Sequence, residues 1–292
     1  MNARPPMVLL DDARSEGAAA ALLFERPDRI FVARTPDEVV ETLEQADSAR
    51  VETGQSLAGY IAYEAGLALE PRLAPLAAQR TGATGPLVWL GLFGEPRRIP
   101  AEAVAAYLAE QSEGEARIGP LDPQISPGAY EEAFARLQEA IRAGDIYQAN
   151  LTFPLAGGFT GDPLALYAAL RPAAQAGYGG LVFDGAHWLL SLSPELFVSL
   201  TDGAARTKPM KGTRPRGADA ASDAAMREEL ALSEKDKAEN LMIVDLLRND
   251  LARVAEPGSV SVDKAFAIET YPTVHQMVST VNARLAPEKG AM

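Results

Sequence analysis

The sequence predicts a globular chain built from both helices and strands, and three observations carry that prediction. Apolar residues make up 47% of the 292 residues and charged residues 23%, a balance that supports a buried core rather than a disordered coil. Two short apolar runs, Leu181-Val182-Phe183 and Trp188-Leu189-Leu190-Ser191, flank Asp184-Gly185, the pattern of an antiparallel hairpin. Tyr130, Phe134, Leu137 and Ile141 recur at helical spacing, which places them on one face of a helix. The length allows one large domain or two ordinary ones.

Taken in order, Val8-Leu9-Leu10 before Asp11-Asp12 reads as a short strand ending in a turn. Val39, Val40 and Leu43 set a helix between Pro36 and Ala46. Gly59 to Gly66 is a β-prone run bounded by glycines, and Leu87 to Phe93 is short and apolar enough for a buried strand. Gln111 to Gly128 is rich in Ser, Gly and Pro and reads as a connection, dividing an N-terminal region over 1–115 from a second region over 126–292. Ser126-Pro127 supplies the cap and first turn of the one-faced helix, and Gly144 stops it. Asp145 to Thr152 alternates as a strand would. Leu230 to Leu251 reads as one long helix, apolar nearly all round and therefore buried. Gly258 to Val262 is a strand after a turn, and a further segment runs from Glu269 to Ser279.

Composition removes whole classes of chemistry. There is no cysteine, hence no disulfide, thiolate metal site or cysteine nucleophile. His187 and His275 are the only histidines, so a metal would rest on carboxylates, which suit a hard cation such as magnesium. The formal net charge of -13 argues against nucleic acid as a partner. No apolar run is long enough for a membrane span, and no signal-type block follows Met1, so a cytoplasmic protein is expected.

Against that acidic background, Thr207 to Gly217 is basic: Lys208, Lys211, Arg214 and Arg216 fall within nine residues. Pro209, Pro215, Gly212 and Gly217 mark it as a shaped loop, and its charge suits a carboxylate or phosphate ligand. Asp236 and Glu239, three residues apart, share a helix face; the first helical turn would favour them, as would a cation held between them.

The wording of these stretches resembles the chorismate-binding enzymes. Pro209-Met210-Lys211-Gly212-Thr213-Arg214-Pro215-Arg216-Gly217 matches a signature of that family. Ser193-Pro194-Glu195 precedes it at the family's spacing, and Asp236 to Leu251 matches its magnesium-binding helix. Gly59 to Ala65 and Trp89 to Phe93 resemble the N-terminal part of its aminodeoxychorismate synthase branch, and Glu269 to Ser279 a closing motif.

The resemblance implies an α+β fold, a layered, mostly antiparallel β core with outer helices. Glu239 would bind Mg²⁺ directly and Asp236 through bound water. Glu195 would act as general acid or base, His275 would lie near the leaving hydroxyl, and Gly212 and Thr213 would position the ring. Lys211, where anthranilate synthases carry alanine, points to the branch that uses a covalent lysine, with Arg214 and Arg216 as the field favouring its neutral amine. Chorismate would be the substrate, and a glutamine amidotransferase subunit would supply ammonia for 4-aminobenzoate and folate synthesis.

The resemblance runs to about Leu285 without the family's later glycine-rich segments and second metal glutamate, so a C-terminally incomplete catalytic region is expected. Anthranilate synthase and a non-catalytic chorismate-binding subunit are the alternatives.

Overall fold

The computed structural model describes residues 4–77 and 85–290. Strands β1 (Met7–Asp11), β2 (Ala21–Glu25) and β3 (Arg29–Ala33) lead into helix α1 (Val39–Thr53), then β4 (Ser56–Ile61), β5 (Val88–Phe93) and β6 (Arg97–Ile99). The α1 helix runs past the expected Ala46 to Thr53, where Gly54 adopts a left-handed φ of 69° and ends it. Helices α2 (Val104–Gln111), α3 (Pro127–Ala143) and α4 (Pro163–Ala174) follow. Next come strands β7 (Tyr178–Phe183), β8 (Trp188–Ser193), β9 (Ser199–Thr201), β10 (Ala204–Thr207) and β11 (Met210–Pro215). Helices α5 (Ala220–Leu232) and α6 (Glu234–Ala252) and strands β12 (Ser261–Thr270) and β13 (Val274–Arg284) complete the order.

The described residues form two compact units, one from within 1–105 and 170–292, the other 106–169. The smaller unit contains α3, whose Ser126 hydroxyl accepts the Ala129 amide proton at 3.2 Å and whose end is turned by Gly144 at φ 80°, as the sequence predicts. Tyr130, Phe134 and Ile141 of its apolar stripe remain exposed. The strand expected over Asp145 to Thr152 is absent: no described strand pairs with that stretch, and alternation without a partner edge leaves Tyr147 exposed.

In the larger unit, one sheet has the order β8-β7-β1-β2-β6 and a second the order β3-β5-β4, all antiparallel. Every residue of β5 is buried. Its Val88, Leu90 and Leu92 pack with Phe31, Val39 and Ala46 beneath α1, while Trp89 and Phe93 pack with Val8, Phe24 and Val182 of the first sheet. Alternation along one strand thus fills two core layers. The hairpin at Asp184 forms as expected, with the Asp184 carboxylate accepting the amides of Ala186 and His187 and Gly185 at φ 99°.

The third sheet is organised by β13, which pairs with β12 along one edge and with β10 and β11, end to end, along the other. Two expectations are corrected here. The basic stretch is an edge strand rather than a loop, made possible by a register break between Met210 and Thr213 at Gly212. The long helix is two helices, because the Ser233 backbone leaves the helical region and its hydroxyl caps α6 by accepting the Asp236 amide at 3.3 Å. Nor is α6 buried all round. It packs against β11 and β13 from one side, burying Asp236, Asn240 and Val244, while Leu241 and Leu246 stay exposed because no described element covers the other side.

Candidate active site

The Ser-Pro-Glu segment leaves β8 and runs beside the start of β11. The Glu195 carboxylate accepts the Met210 amide at 3.2 Å, and the Lys208 amide donates to the Leu196 carbonyl at 3.3 Å. These two bonds bring Glu195 and Lys211 to one open cavity of about 360 Å³, with Phe197, Pro209, Ile243 and Leu247 among its walls. Glu195 and Lys211, with Ser193 and Thr207, thus line a hollow whose remaining walls are apolar, an arrangement that orients a small polar ligand. Lys211 is half-buried and makes no ion pair or hydrogen bond with the described residues. The apolar walls Ile243 and Leu247 were missed by sequence reasoning, which assigned α6 to a buried core. Glu239 lies one turn before Ile243, hence on the same side of the helix.

Gly212 is the hinge of the strand. Its φ of +89° lies in the left-handed region, and an added Cβ would stand 2.9 Å from the Asp236 Cβ and 3.1 Å from its carboxyl carbon. Glycine is required twice over, for the backbone turn and for the approach of α6. Thr213 donates its hydroxyl to the Gln276 side chain at 3.1 Å and is exposed; neither it nor Gly212 is among the cavity walls.

The arginines are committed to carboxylates. Arg214 donates Nε to Glu229 at 2.8 Å, one terminal nitrogen to Asp236 at 3.0 Å, and the other to the Thr213 carbonyl at 2.9 Å. The bond to Glu229 foremost, with the Asp236 charge, raises the Arg214 pKa further above its already high value. Arg216 grips both oxygens of Asp223 at 2.7 and 2.8 Å, and the Gly217 amide adds a third donor at 2.8 Å. That guanidinium, above all, holds the Asp223 carboxyl far below the usual carboxylate range. The cationic field expected around Lys211 is therefore largely cancelled by Glu229, Asp236 and Asp223.

His275 lies on β13 opposite Arg214 and is 1% exposed. Its Nε2 contacts Asp223 at 3.0 Å and its Nδ1 the Thr270 hydroxyl at 2.9 Å, so both ring nitrogens are engaged, and it is not among the walls around Lys211 and Glu195. A buried polar chain lies close by. The Asn240 amide donates to the Met277 carbonyl at 3.3 Å, the Ser279 hydroxyl donates to Asn240, and the Phe266 amide donates to Ser279 at 3.1 Å. Asn240 and Ser279 have no exposed surface, so this chain sets the rotation of α6, and with it the direction of Glu239.

Carboxylate oxygens suit Mg²⁺, which usually takes one or two of them with water and substrate oxygens. The described residues do not supply a finished site. No group of three or more His, Asp or Glu side chains converges on one point, Asp236 is taken by Arg214, and Glu239 pairs with the exposed Lys235 at 3.6 Å.

Comparison with known proteins places this α+β scaffold in a family. The family model for chorismate binding enzymes matches residues 8–292, and the chain belongs to that family. It is 47% identical over 161 residues to an aminodeoxychorismate synthase component 1 of Klebsiella aerogenes, covering 55% of this chain and 36% of that one. With the protein of the same name from Salmonella typhimurium it shares 40% identity over 199 residues, 68% of this chain and 40% of the relative. The matched stretches are thus less than half of those relatives' lengths. The crystal structure of anthranilate synthase component I from Streptococcus pneumoniae superposes with a TM-score of 0.71 at 22% identity, over 95% of this chain and 72% of that one, and so shares the fold. The layered α+β expectation holds.

Proposed function

We propose that this chain is the chorismate-binding part of an aminodeoxychorismate synthase component I, with Lys211 as covalent nucleophile. The observation that carries the proposal is the shared cavity: Lys211 enters it without a carboxylate partner, and Glu195 faces it from the neighbouring segment. In the reaction proposed, the Lys211 amine adds at ring carbon 2 of chorismate, the two conjugated ring double bonds shift, and the carbon 4 hydroxyl leaves as water. Glu195 supplies the proton to the departing hydroxyl. Ammonia then adds at carbon 4, the two double bonds shift back, and Lys211 leaves with a proton. The balance is chorismate and ammonia in, 4-amino-4-deoxychorismate and water out.

The relatives are named as component 1, which supports a glutamine amidotransferase partner as the ammonia source. We extend the proposal to Mg²⁺ as cofactor and to a cytoplasmic setting. Glu239 is the carboxylate open to the metal, but no step above depends on it. Among the described residues no helix is long and apolar enough to cross a membrane. The division into a 1–115 region and a 126–292 chorismate-binding region, and the roles of Gly212, Thr213 and His275, stand as part of the same proposal.

The test is product analysis of this chain given chorismate, ammonium and Mg²⁺. Lys211→Ala is expected to lose the aminated product by at least about a hundredfold, and wild type quenched during turnover is expected to carry substrate on Lys211 by peptide mass spectrometry. Undiminished formation of 4-amino-4-deoxychorismate by Lys211→Ala would sink the covalent role. Anthranilate as the product would instead assign the sister activity, and tight chorismate binding without turnover the non-catalytic one.

A further inference from the structure

We infer that Asp236 is the anchor of an internal cation: its carboxylate serves Arg214, and the Arg214 clamp is a positioning device for Lys211. The inference rests on the proposed role of Lys211 for its functional meaning. Three oxygens of different origin converge on one guanidinium, from Glu229 near the end of α5, from Asp236 in the first turn of α6, and from the Thr213 carbonyl. With bond lengths of 2.8 to 3.0 Å they use all three nitrogens, which a point charge such as lysine could not reproduce. Both partners of the Arg214–Asp236 pair are well shielded, with side chains 23% and 10% exposed, so solvent weakens the bond less than at the surface.

The clamp acts on the strand through Gly212. Asp236 fills the space that a side chain at Gly212 would need, and its position there is set by Arg214. Lys211 immediately precedes that turn, at the break in register with β13. Holding Asp236 against Gly212 therefore fixes the turn that sets Lys211 in the lining of the cavity it shares with Glu195. Without the guanidinium, the buried carboxylate would draw in water, the α6 terminus would loosen against β11, and Lys211 would swing toward solvent.

The experiment measures the rate at which 2,4,6-trinitrobenzenesulfonate labels Lys211, read by peptide mass spectrometry. The proteins are the wild type, Arg214→Ala and Asp236→Asn, with circular dichroism and melting as fold controls and Arg214→Gln as a milder substitute if Arg214→Ala does not fold. Labelling is expected to rise at least about fivefold in both variants, the effect of losing roughly 1 kcal/mol of positioning. Guanidinium at about 20 mM, far below denaturing levels, is expected to return Arg214→Ala toward wild type, with urea without effect and Asp236→Asn unrescued. Labelling unchanged in either variant, or no response of Arg214→Ala to guanidinium, overturns the clamp. Chorismate added to wild type separates the two ideas: lack of protection of Lys211 counts against the proposed function, while the ligand-free labelling still decides the clamp.

Discussion

The sheet built on β5 and the sheet built on β13 differ in what is buried beside their apolar residues. Around β5, interior positions are filled by Phe31, Leu90, Leu92, Trp89 and Phe93, apolar on both faces. Around β13 the apolar Met277, Val278 and Val281 are buried, but so are Thr207, Asp236, Asn240, His275 and Ser279, while large apolar residues on α6 and beside the cavity (Leu241, Leu246 and Phe197) remain exposed. A core of the first kind gains stability in proportion to area and tolerates little change of shape. The second kind gains little from its polar pairs once desolvation is counted, yet it fixes side-chain directions. The candidate active site lies on the β13 sheet, where direction matters more than stability.

The largest effect that would sharpen this contrast is expected at Trp89, which is 2% exposed and stacks on Tyr60 with ring centroids 6.4 Å apart. Trp89→Ala should destabilise the chain by about 3–5 kcal/mol, read from urea denaturation, because it empties one layer of the double core. A cost below about 1 kcal/mol would mean that the β5 core is looser than its burial indicates.

The same contrast explains what was legible in the sequence. The β5 strand was legible because a short apolar run bounded by polar and glycine residues has few other ways to be satisfied. The α3 helix was equally so, since Ser126 and Gly144 mark its ends chemically. Lys211 and Glu195 were reached through motif wording, and the structure brings them to one cavity. The clamps were not legible. Arg214 meets Glu229 and Asp236 at separations of 15 and 22 residues, and His275 meets Asp223 across 52, distances at which no local periodicity reports a contact. The break at Ser233 was missed because helical patterning continues on both sides of a single capping residue. The strand expected after Gly144 failed for the converse reason, a good local pattern with no edge to join.

The polar sheet has its own intermediate test. Asn240 is fully buried, and its side chain is bonded on both ends, to the Met277 carbonyl and the Ser279 hydroxyl. Asn240→Ala should cost about 1–3 kcal/mol by leaving those groups unsatisfied. Asn240→Ala with Ser279→Ala should cost less than the sum of the two single changes, since each removes the partner the other leaves stranded. Strict additivity in that double-mutant cycle would show that the chain does not act as a unit, and the argument that it aims α6 would fail.

The smallest expected effect is the most informative about α6. A helix reading as apolar all round was expected to be buried, and Leu241 is instead 49% exposed. If the β13 sheet is covered by α6 from one side only, Leu241→Ala should change stability by no more than about 0.5 kcal/mol, because little area leaves the interior and alanine favours helix. The measurement is the shift in urea midpoint at several protein concentrations. A cost near that of Trp89→Ala would mean that the outer face of α6 is packed in solution. A midpoint that rises with concentration would assign that packing to another copy of the chain. The two leucines would then belong to a core like that of β5, and the contrast between the sheets would reduce to their polar residues alone.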